Sequence, residues 1–532
     1  MLRTVVWGLT GKLSNLYSKN NIRSSTINSR LITPHKRRLT VSTSTTEKPT
    51  SGFASTLDRF FEITARGSNF ATEIRGGLVI FITMAYIIIL NPLILGFSPD
   101  VEGNVMGGGA PNLGAIGAAT ALTAGVMTIL FGIIARLPFA LAAGLGINSF
   151  LAVSVVKNVT WQEAMGLVVI DGLIIVLLAS TGLRRMIFNA VPAQLKTAIT
   201  VGIGLFIAFI GLVDAGFVRS TGFGAPPVGL GVGGSIQGIP TVVFIVGVIL
   251  IGILVARGIK AAILIGLVAT TLLAVILQII WPVGSMGVPG TETYNAFGWN
   301  LAIPALPTSV VSVPDLSLVG AFSFGAFDRI GILAALMLVF TLVFTNFFDA
   351  MGTMTGLAKQ ANLADAKGNF KRLQPALIVE GIGAIAGGAT STSSNTVYIE
   401  SASGIGSGAR TGLATVITGI LFLLAMFFTP LTQIVPLEVG AAALVIVGAM
   451  MMGQVVDIDW KDFSAAFPAF LAIIIMPLTY SIANGIGVGF ISWVIIRSFS
   501  GKAKEISPLL WIVAVGFAVY FVSGPIEQLL AG

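Results

Sequence analysis

The chain reads as an all-α polytopic membrane protein of fourteen transmembrane spans, two inverted seven-span repeats in which spans 3 and 10 are broken. Three observations lead there. First, 55% of the 532 residues are apolar and only 10% are charged, against about 25% charged in an ordinary soluble domain. Second, apolar runs of roughly 18 residues or more recur along the chain, each long enough to cross a bilayer as a helix. Third, the basic residues between these runs fall almost entirely on one side of the membrane.

In chain order, residues 1–56 form a basic, Ser/Thr-rich tail. It carries nine Lys/Arg up to Lys48 and no acid before Glu47. Val5, Val6, Leu9, Leu13 and Leu16 share a helical face, the pattern of an organellar transit peptide; a disordered tail that keeps the N-terminus inside fits equally. The membrane is therefore read as the plasma membrane, with an organellar membrane as the alternative. The spans follow at 76–97, 117–135, 138–156, 163–181, 197–216, 239–256 and 261–281. After a Gly/Pro-rich loop, 283–328, come 330–352, 374–390, 393–408, 411–430, 436–455, 463–480 and 482–498. Leu509–Val522 is a further apolar stretch able to span, re-enter or lie at the interface. Threaded with the N-terminus inside, the inner loops receive fifteen Lys/Arg and the outer loops three, Lys157, Arg219 and Arg329, which is the positive-inside pattern. Tail and inner loops account for the net charge of +8, so it does not call for nucleic acid.

The halves echo one another. Val169-Ile-Asp-Gly172 matches Val416-Ile-Thr-Gly419, and each is followed by a Val-Pro pair, Val191-Pro192 and Val435-Pro436. Seven spans per half is an odd number, so the halves enter the membrane from opposite sides, the arrangement of secondary transporters. Under this match two polar-interrupted segments occupy equivalent places. One is Pro138–Phe150, with Gly144-Leu-Gly146 and Asn148. The other is Thr390–Thr411, rich in hydroxyls and glycine, with Thr396, Tyr398 and Glu400. Polar backbone at membrane depth survives only when buried in protein or lining a cavity, and an ionisable group there marks a functional site. These segments are therefore the expected solute site, with Asn148 and Glu400 on the edge of a nitrogenous ring and Tyr398, Ser401 and Ser403 holding Glu400. In span 8, Asp349 lies inside the apolar run with Asn346 three residues before it on the same face. An acid in such a cavity is suited to take and release a proton, so Asp349, and secondarily Glu400, are the coupling candidates. Glu380 and Asp171 are either further such groups or structural pairs. Phe347, Phe348 and Tyr398 are candidates for stacking on the solute or for core packing.

Other chemistries are excluded by composition. There is no cysteine, and the single histidine, His35, lies in the tail. Gly-Leu-Gly at 144–146 and Gly-Ile-Gly at 202–204 lie inside spans, without a dinucleotide-binding context. No phosphate-binding loop, metal cluster or nucleophile–base pair is present, so neither an enzyme nor ATP-driven transport is expected. No cofactor is expected either, beyond the proton as coupling ion.

Several stretches together carry a resemblance. Phe60-Phe-Glu-Ile-Thr-Ala-Arg-Gly67, Glu73-Ile-Arg-Gly-Gly-Leu78, Ile82-Thr-Met-Ala-Tyr-Ile87 and Asn91-Pro92 begin it. Gly144–Asn148, Phe348-Asp-Ala-Met-Gly-Thr353, Tyr398–Gly404, Arg410-Thr-Gly412 and Met476–Gly485 continue it. In this order they resemble the AzgA-like adenine/guanine/hypoxanthine permeases, a branch of the xanthine/uracil (nucleobase:cation symporter) superfamily, from about residue 58 to the C-terminus. The resemblance implies a substrate-holding core of spans 1–4 and 8–11 (57–185 and 329–430). It also implies a gate of spans 5–7 and 12–14 (186–282 and 431–532), with 283–328 as an extracytosolic loop. Proton-coupled uptake of purine bases is implied, with Asn148, Asp349 and Glu400 at family substrate positions and a gate-domain homodimer as in related folds. One departure is that the family's Asp-x-x-Asp-Thr in span 8 reads Asn346-Phe-Phe-Asp349-Ala350 here, which removes one acid. Two alternatives stay open: a same-fold carrier of another planar or anionic solute such as uracil, xanthine or sulfate, and a channel-like pore.

Overall fold

Interruptions of the helical ladder decide this architecture. The computed structural model describes residues 52–222, 224–287, 294–300, 302–307, 309–364 and 370–531; residues 1–51 of the N-terminal tail, on which both readings of it rest, fall outside them, and 53–56 begin the first helix. A short helix α1 (Phe53–Phe61) precedes the first span, which is α2 (Phe70–Met84) and α3 (Ile87–Leu95). Asn69 caps α2 by accepting from Thr72 N–H at 2.9 Å. Between them the ladder tightens to i→i+3 bonds, Ile88 to Ala85 at 3.2 Å and Ile89 to Tyr86 at 3.0 Å. Then come α4 (Leu113–Ile134), β1 (Leu141–Ala143), α5 (Leu145–Phe150) with a π-helical turn over Leu151–Val155, α6 (Trp161–Ser180), α7 (Leu183–Ala190) and α8 (Ala193–Asp214). The hairpin β2 (Val218–Ser220) with β3 (Val228–Leu230), α9 (Ile239–Ala256) and α10 (Ala262–Ile280) finish the first half. The second half runs α11 (Ala326–Ile330), α12 (Ile332–Gln360), α13 (Leu373–Ala389), β4 (Asn395–Val397), α14 (Ser401–Gly406), α15 (Gly412–Ala425), α16 (Leu437–Met452), α17 (Phe463–Leu478) and α18 (Ile482–Arg497), with α19 (Pro508–Ala531) after it.

Among the described residues, ten helical segments of 18 to 29 residues are long and apolar enough to cross a bilayer. The other four expected spans are the shorter α13 and α17 and the two broken ones. Two span boundaries shift most from expectation, and the stretch left open at the C-terminal end takes a defined form. The first span starts six residues earlier, at Phe70. α12 continues past 352 to Gln360, because 353–360 hold no proline and only one charge, Lys359. The apolar stretch from Leu509 is one helix of 24 residues.

The two breaks are short strands that pair with each other. β1 and β4 run antiparallel with Leu141 opposite Val397, Ala142 opposite Thr396 and Ala143 opposite Asn395. Each strand thereby satisfies backbone groups that would otherwise be orphaned at membrane depth. Equivalent elements running antiparallel are what an in-plane two-fold axis requires, and helix neighbours obey the same axis. α6 packs on α13 as α15 packs on α4, α9 on α10 as α17 on α18, and α16 on α9 as α8 on α17. The repeat seen in the sequence marks this packing. A side chain on Gly172 would meet Ile385 N at 2.5 Å and Gly381 O at 2.9 Å on α13. One on Gly419 would meet Gly125 O at 2.6 Å and Ile129 N at 3.0 Å on α4. Both glycines let helix backbones touch, and Pro192 and Pro436 immediately precede α8 and α16.

Candidate solute-binding site

A cavity of about 330 Å³ lies where the broken spans meet α12 and the α8–α16 pair. The β1–α5 junction supplies Gly144–Ile147, and β4 with the turn after it supplies Thr396–Glu400. α12 contributes Thr345, Asp349, Gly352, Thr353 and Gly356, residues at i, i+4, i+7, i+8 and i+11 that share one helical face. Ile203 and Ile207 of α8 and Val447 and Met451 of α16 form the apolar wall opposite. Glycine is required at two of these positions. A side chain on Gly144 would lie 2.9 Å from Thr396 Cγ2, and one on Gly146 would lie 2.9 Å from Ile203 Cγ2.

The cavity is closed at one end and open at the other. Thr345, Ile203, Ile207 and Val447 are buried, whereas Gly352, Gly356, Met450 and Gln454 are exposed. The exposed residues lie toward the end of α12 that carries Lys359, the α16–α17 connection that carries Lys461 and the start of α8 that carries Lys196. By the charge rule this is the inner side.

Glu400 immediately precedes α14, and its side chain makes no capping bond to that helix. Its Oε1 accepts a 2.5 Å hydrogen bond from the Tyr86 hydroxyl, and both residues line the cavity. Sequence reasoning missed Tyr86. The signal was a tyrosine inside the apolar run Ile80–Leu95, in a chain with six tyrosines. The expected holders of Glu400 do other things. Tyr398 donates to Ala143 O at 2.5 Å, tying β4 to β1. Ser401 Oγ accepts from Ala140 N–H, and Ser403 Oγ donates to the Glu400 carbonyl. A carboxylate accepts only, so it needed a donor that reaches it, and the tyrosine at the span-1 break is that donor.

Asp349 is half-buried at the cavity wall. Asn346 is not beside it. It is fully buried, and its amide nitrogen donates to Asp171 Oδ2 at 3.1 Å and Ser394 Oγ at 2.8 Å. Three residues along a helix leave two side chains only about 60° apart, and it is the Asp171 and Ser394 partners that draw Asn346 away from the cavity edge. Asn148 departs from expectation in the same way. It lies about 200° around α5 from the cavity-lining Gly146. Its Nδ2 donates to Asn91 Oδ1 at 2.5 Å, and Asn91 Nδ2 donates to Thr120 Oγ1 at 2.8 Å and Thr392 O at 3.2 Å. This buried chain joins spans 1, 2, 3 and 10 behind the cavity.

Glu380 forms an ion pair with Arg184 at 2.5 Å, with both side chains fully buried. The Arg184 guanidinium also lies over the Phe347 ring, 5.4 Å from its centroid. Phe348 packs with Phe344 and Phe490. Phe347 and Phe348 are thus core, and of the expected stacking residues only Tyr398 reaches the cavity. Of the seven expected site residues, Gly146, Asp349, Thr396, Tyr398 and Glu400 come together, while Asn148 and Asn346 stand one layer back.

A cavity enclosed by interrupted helices from two inverted halves, acidic at its wall and open to one side, defines a multi-pass membrane permease. Residues 71–488 match the Permease family of the xanthine/uracil permease type, and the chain belongs to it. It is similar to the guanine/hypoxanthine permease PbuG of Bacillus subtilis, 38% identical over 474 residues, 88% of this chain and 99% of that protein. It is likewise similar to the adenine permease AdeP of Escherichia coli, 35% identical over 468 residues, 88% of this chain and 96% of that one. Among solved structures, the transmembrane domain of the cyanobacterial bicarbonate transporter BicA superposes with a TM-score of 0.54 at 15% identity, over 79% of this chain and 97% of that domain. At that identity the likeness is one of fold.

Proposed function

We propose that this permease carries purine bases inward together with protons, the cavity opening alternately to the two sides. The observation that carries the reading is the pairing of Glu400 with Tyr86 at a cavity whose wall also holds Asp349. A carboxylate fixed by a tyrosine hydroxyl accepts hydrogen bonds from a ring N–H or an exocyclic amine, groups that purines present along one edge. Its volume, about 330 Å³, lies in the range of about 300–1,000 Å³ usual for small-molecule sites. Thr396, Tyr398 and the backbone around Gly146 shape the slot. Asp349 is the proton carrier, Glu400 the second candidate, and Asn148 and Asn346 hold the site's backbone in place. Relatives bearing the names guanine/hypoxanthine permease and adenine permease support the choice of base.

Charge argues against the anionic alternative, because no Lys, Arg or His is among the lining residues and two carboxyl groups are. The closed end argues against an open pore. The test is labelled adenine uptake into cells lacking their own purine carriers. Uptake against a gradient is expected to collapse with a protonophore and to be competed by hypoxanthine and guanine. Competition by sulfate or uracil instead, or uptake indifferent to the proton gradient, contradicts the reading.

A further inference from the structure

Behind the cavity wall lies a group of charged side chains that the proposed transport does not use. Asp171 on α6, Glu380 on α13 and Arg184 on α7 are all fully buried. Arg184 is engaged by Glu380 at 2.5 Å, so the trio carries two carboxyls and one guanidinium. The other charged residues described on helices packed against α6 are Asp349 and Lys359 on α12 and Asp328 and Arg329 on α11. Asp349 lines the cavity, and Lys359 and Asp328 are exposed. Arg329 is committed at the outer end of α6, to Glu163 at 2.7 Å. With every acid ionised the buried trio would bear one uncompensated negative charge. Burial of such a charge is costly enough that the group neutralises or finds a counter-ion.

Orphaned carboxyl oxygens occur on both acids, Glu380 Oε1 and Asp171 Oδ1, but Glu380 has the Arg184 guanidinium as its counter-ion, so the neutralisation falls on Asp171. Asp171 Oδ1 and Asn346 Oδ1 are both buried without a hydrogen-bond partner. They belong to the two side chains already joined by the bond from Asn346 Nδ2 to Asp171 Oδ2, 3.1 Å. A hydroxyl can rotate to find a partner, but a carboxylate oxygen and an amide carbonyl accept only. One proton on Asp171 Oδ1 supplies the missing donor and closes an acid–amide ring of two parallel hydrogen bonds.

We propose that Asp171 and Asn346 form a proton-holding site, separate from the cavity, in which Asp171 is protonated and Asn346 is its bidentate partner. The ring clasps α6 to α12 and, through the Asn346–Ser394 bond at 2.8 Å, to the chain leading into β4. Asn346 is thereby matched to Asp171. The amide offers a donor and an acceptor side by side, which a second acid would offer only by taking a proton as well. A metal cation fits less well than a proton, because Asn346 points N–H hydrogens at the carboxyl and a cation would be repelled by them. Sealed on all sides, this proton stays in place while the cavity carboxyls exchange theirs.

Infrared spectra of the full-length chain in lipid at neutral pH test this; the spectra need no solute and so stand even where the purine reading fails, and the uptake comparison is made only where the wild type takes up adenine. A protonated-carboxyl C=O band is expected in the wild type and lost in Asp171→Asn. That variant rebuilds the ring as an amide pair, so it is expected to insert normally and to take up adenine with an unaltered pH profile. Asn346→Asp is expected to insert and to show one additional protonated-carboxyl band. A wild-type spectrum with no band lost in Asp171→Asn overturns the proposal. So does failure of Asp171→Asn to insert, a shifted uptake pH profile in it, or a sodium requirement that Asp171→Asn abolishes.

Discussion

At the scale of single residues, the site is a division of labour between side chains that face the cavity and side chains that hold those in place. Tyr86→Phe deletes the donor to Glu400 and nothing else. A hydrogen bond to a charged group contributes about 1.5–3 kcal/mol, so KM for adenine should rise roughly ten- to a hundredfold in uptake assays with the protein still inserted. Asn148→Ala acts differently. It leaves Asn91 Oδ1 buried without its donor, and an unsatisfied buried polar group costs about 1–3 kcal/mol. Thermal stability should fall while KM per inserted molecule changes little, which a melt and an uptake curve on the same preparation separate. The Arg184–Glu380 pair gives the sharpest contrast. Arg184→Met strands a buried carboxylate at a cost of about 3–5 kcal/mol, whereas adding Glu380→Leu to it removes the stranded charge and should recover most of the loss. At the inner surface, hydrogen bonds from Lys502 and Ser464 hold the Asp462 carboxyl well below its usual value. A lowered folded-state value contributes stability above the ordinary carboxyl range that is lost as pH falls through the lowered value. Acid melts of the wild type should therefore show this loss below about pH 3.9, and Asp462→Asn, which lacks the charge, should not.

At the scale of elements, motion and legibility meet at the broken spans. Gly146 touches Ile203 of α8, so a larger side chain there obstructs the contact between α5 and α8 without touching Glu400. Because Gly146 also lines the cavity, Gly146→Leu should both raise the Kd for adenine and depress the uptake rate, and the two are read on the same preparation. The interruptions themselves were legible, because glycine, hydroxyls and an acid within an apolar stretch have few homes in lipid. So was the repeat, since Gly172 and Gly419 mark the same close approach in each half. What was hidden is instructive. The strand pairing of β1 with β4 joins residues about 250 positions apart, a distance over which periodicity carries no information. Helical spacing placed Asn346 beside Asp349 on one face, but each side chain follows its own neighbours, and α6 offered Asp171. Tyr86 looked like one more apolar position because its partner lies in the other half of the chain. The α8–α16 wall reads in sequence as ordinary apolar helix, and only packing makes it the far side of a cavity.

At the scale of the whole molecule, two halves of opposite orientation enclose one acidic cavity that opens toward the basic, inner side. The chain belongs to the permease family, and its fold is like that of the BicA membrane domain. The central claim is that this cavity holds a purine against Glu400 and moves it with protons. Proteoliposomes loaded to impose a pH gradient, without any other energy source, test it most directly. Wild-type vesicles should accumulate labelled adenine above its outside concentration, and correctly inserted Glu400→Gln vesicles should not. Equal accumulation by both, or accumulation by the wild type with no gradient imposed, would contradict it.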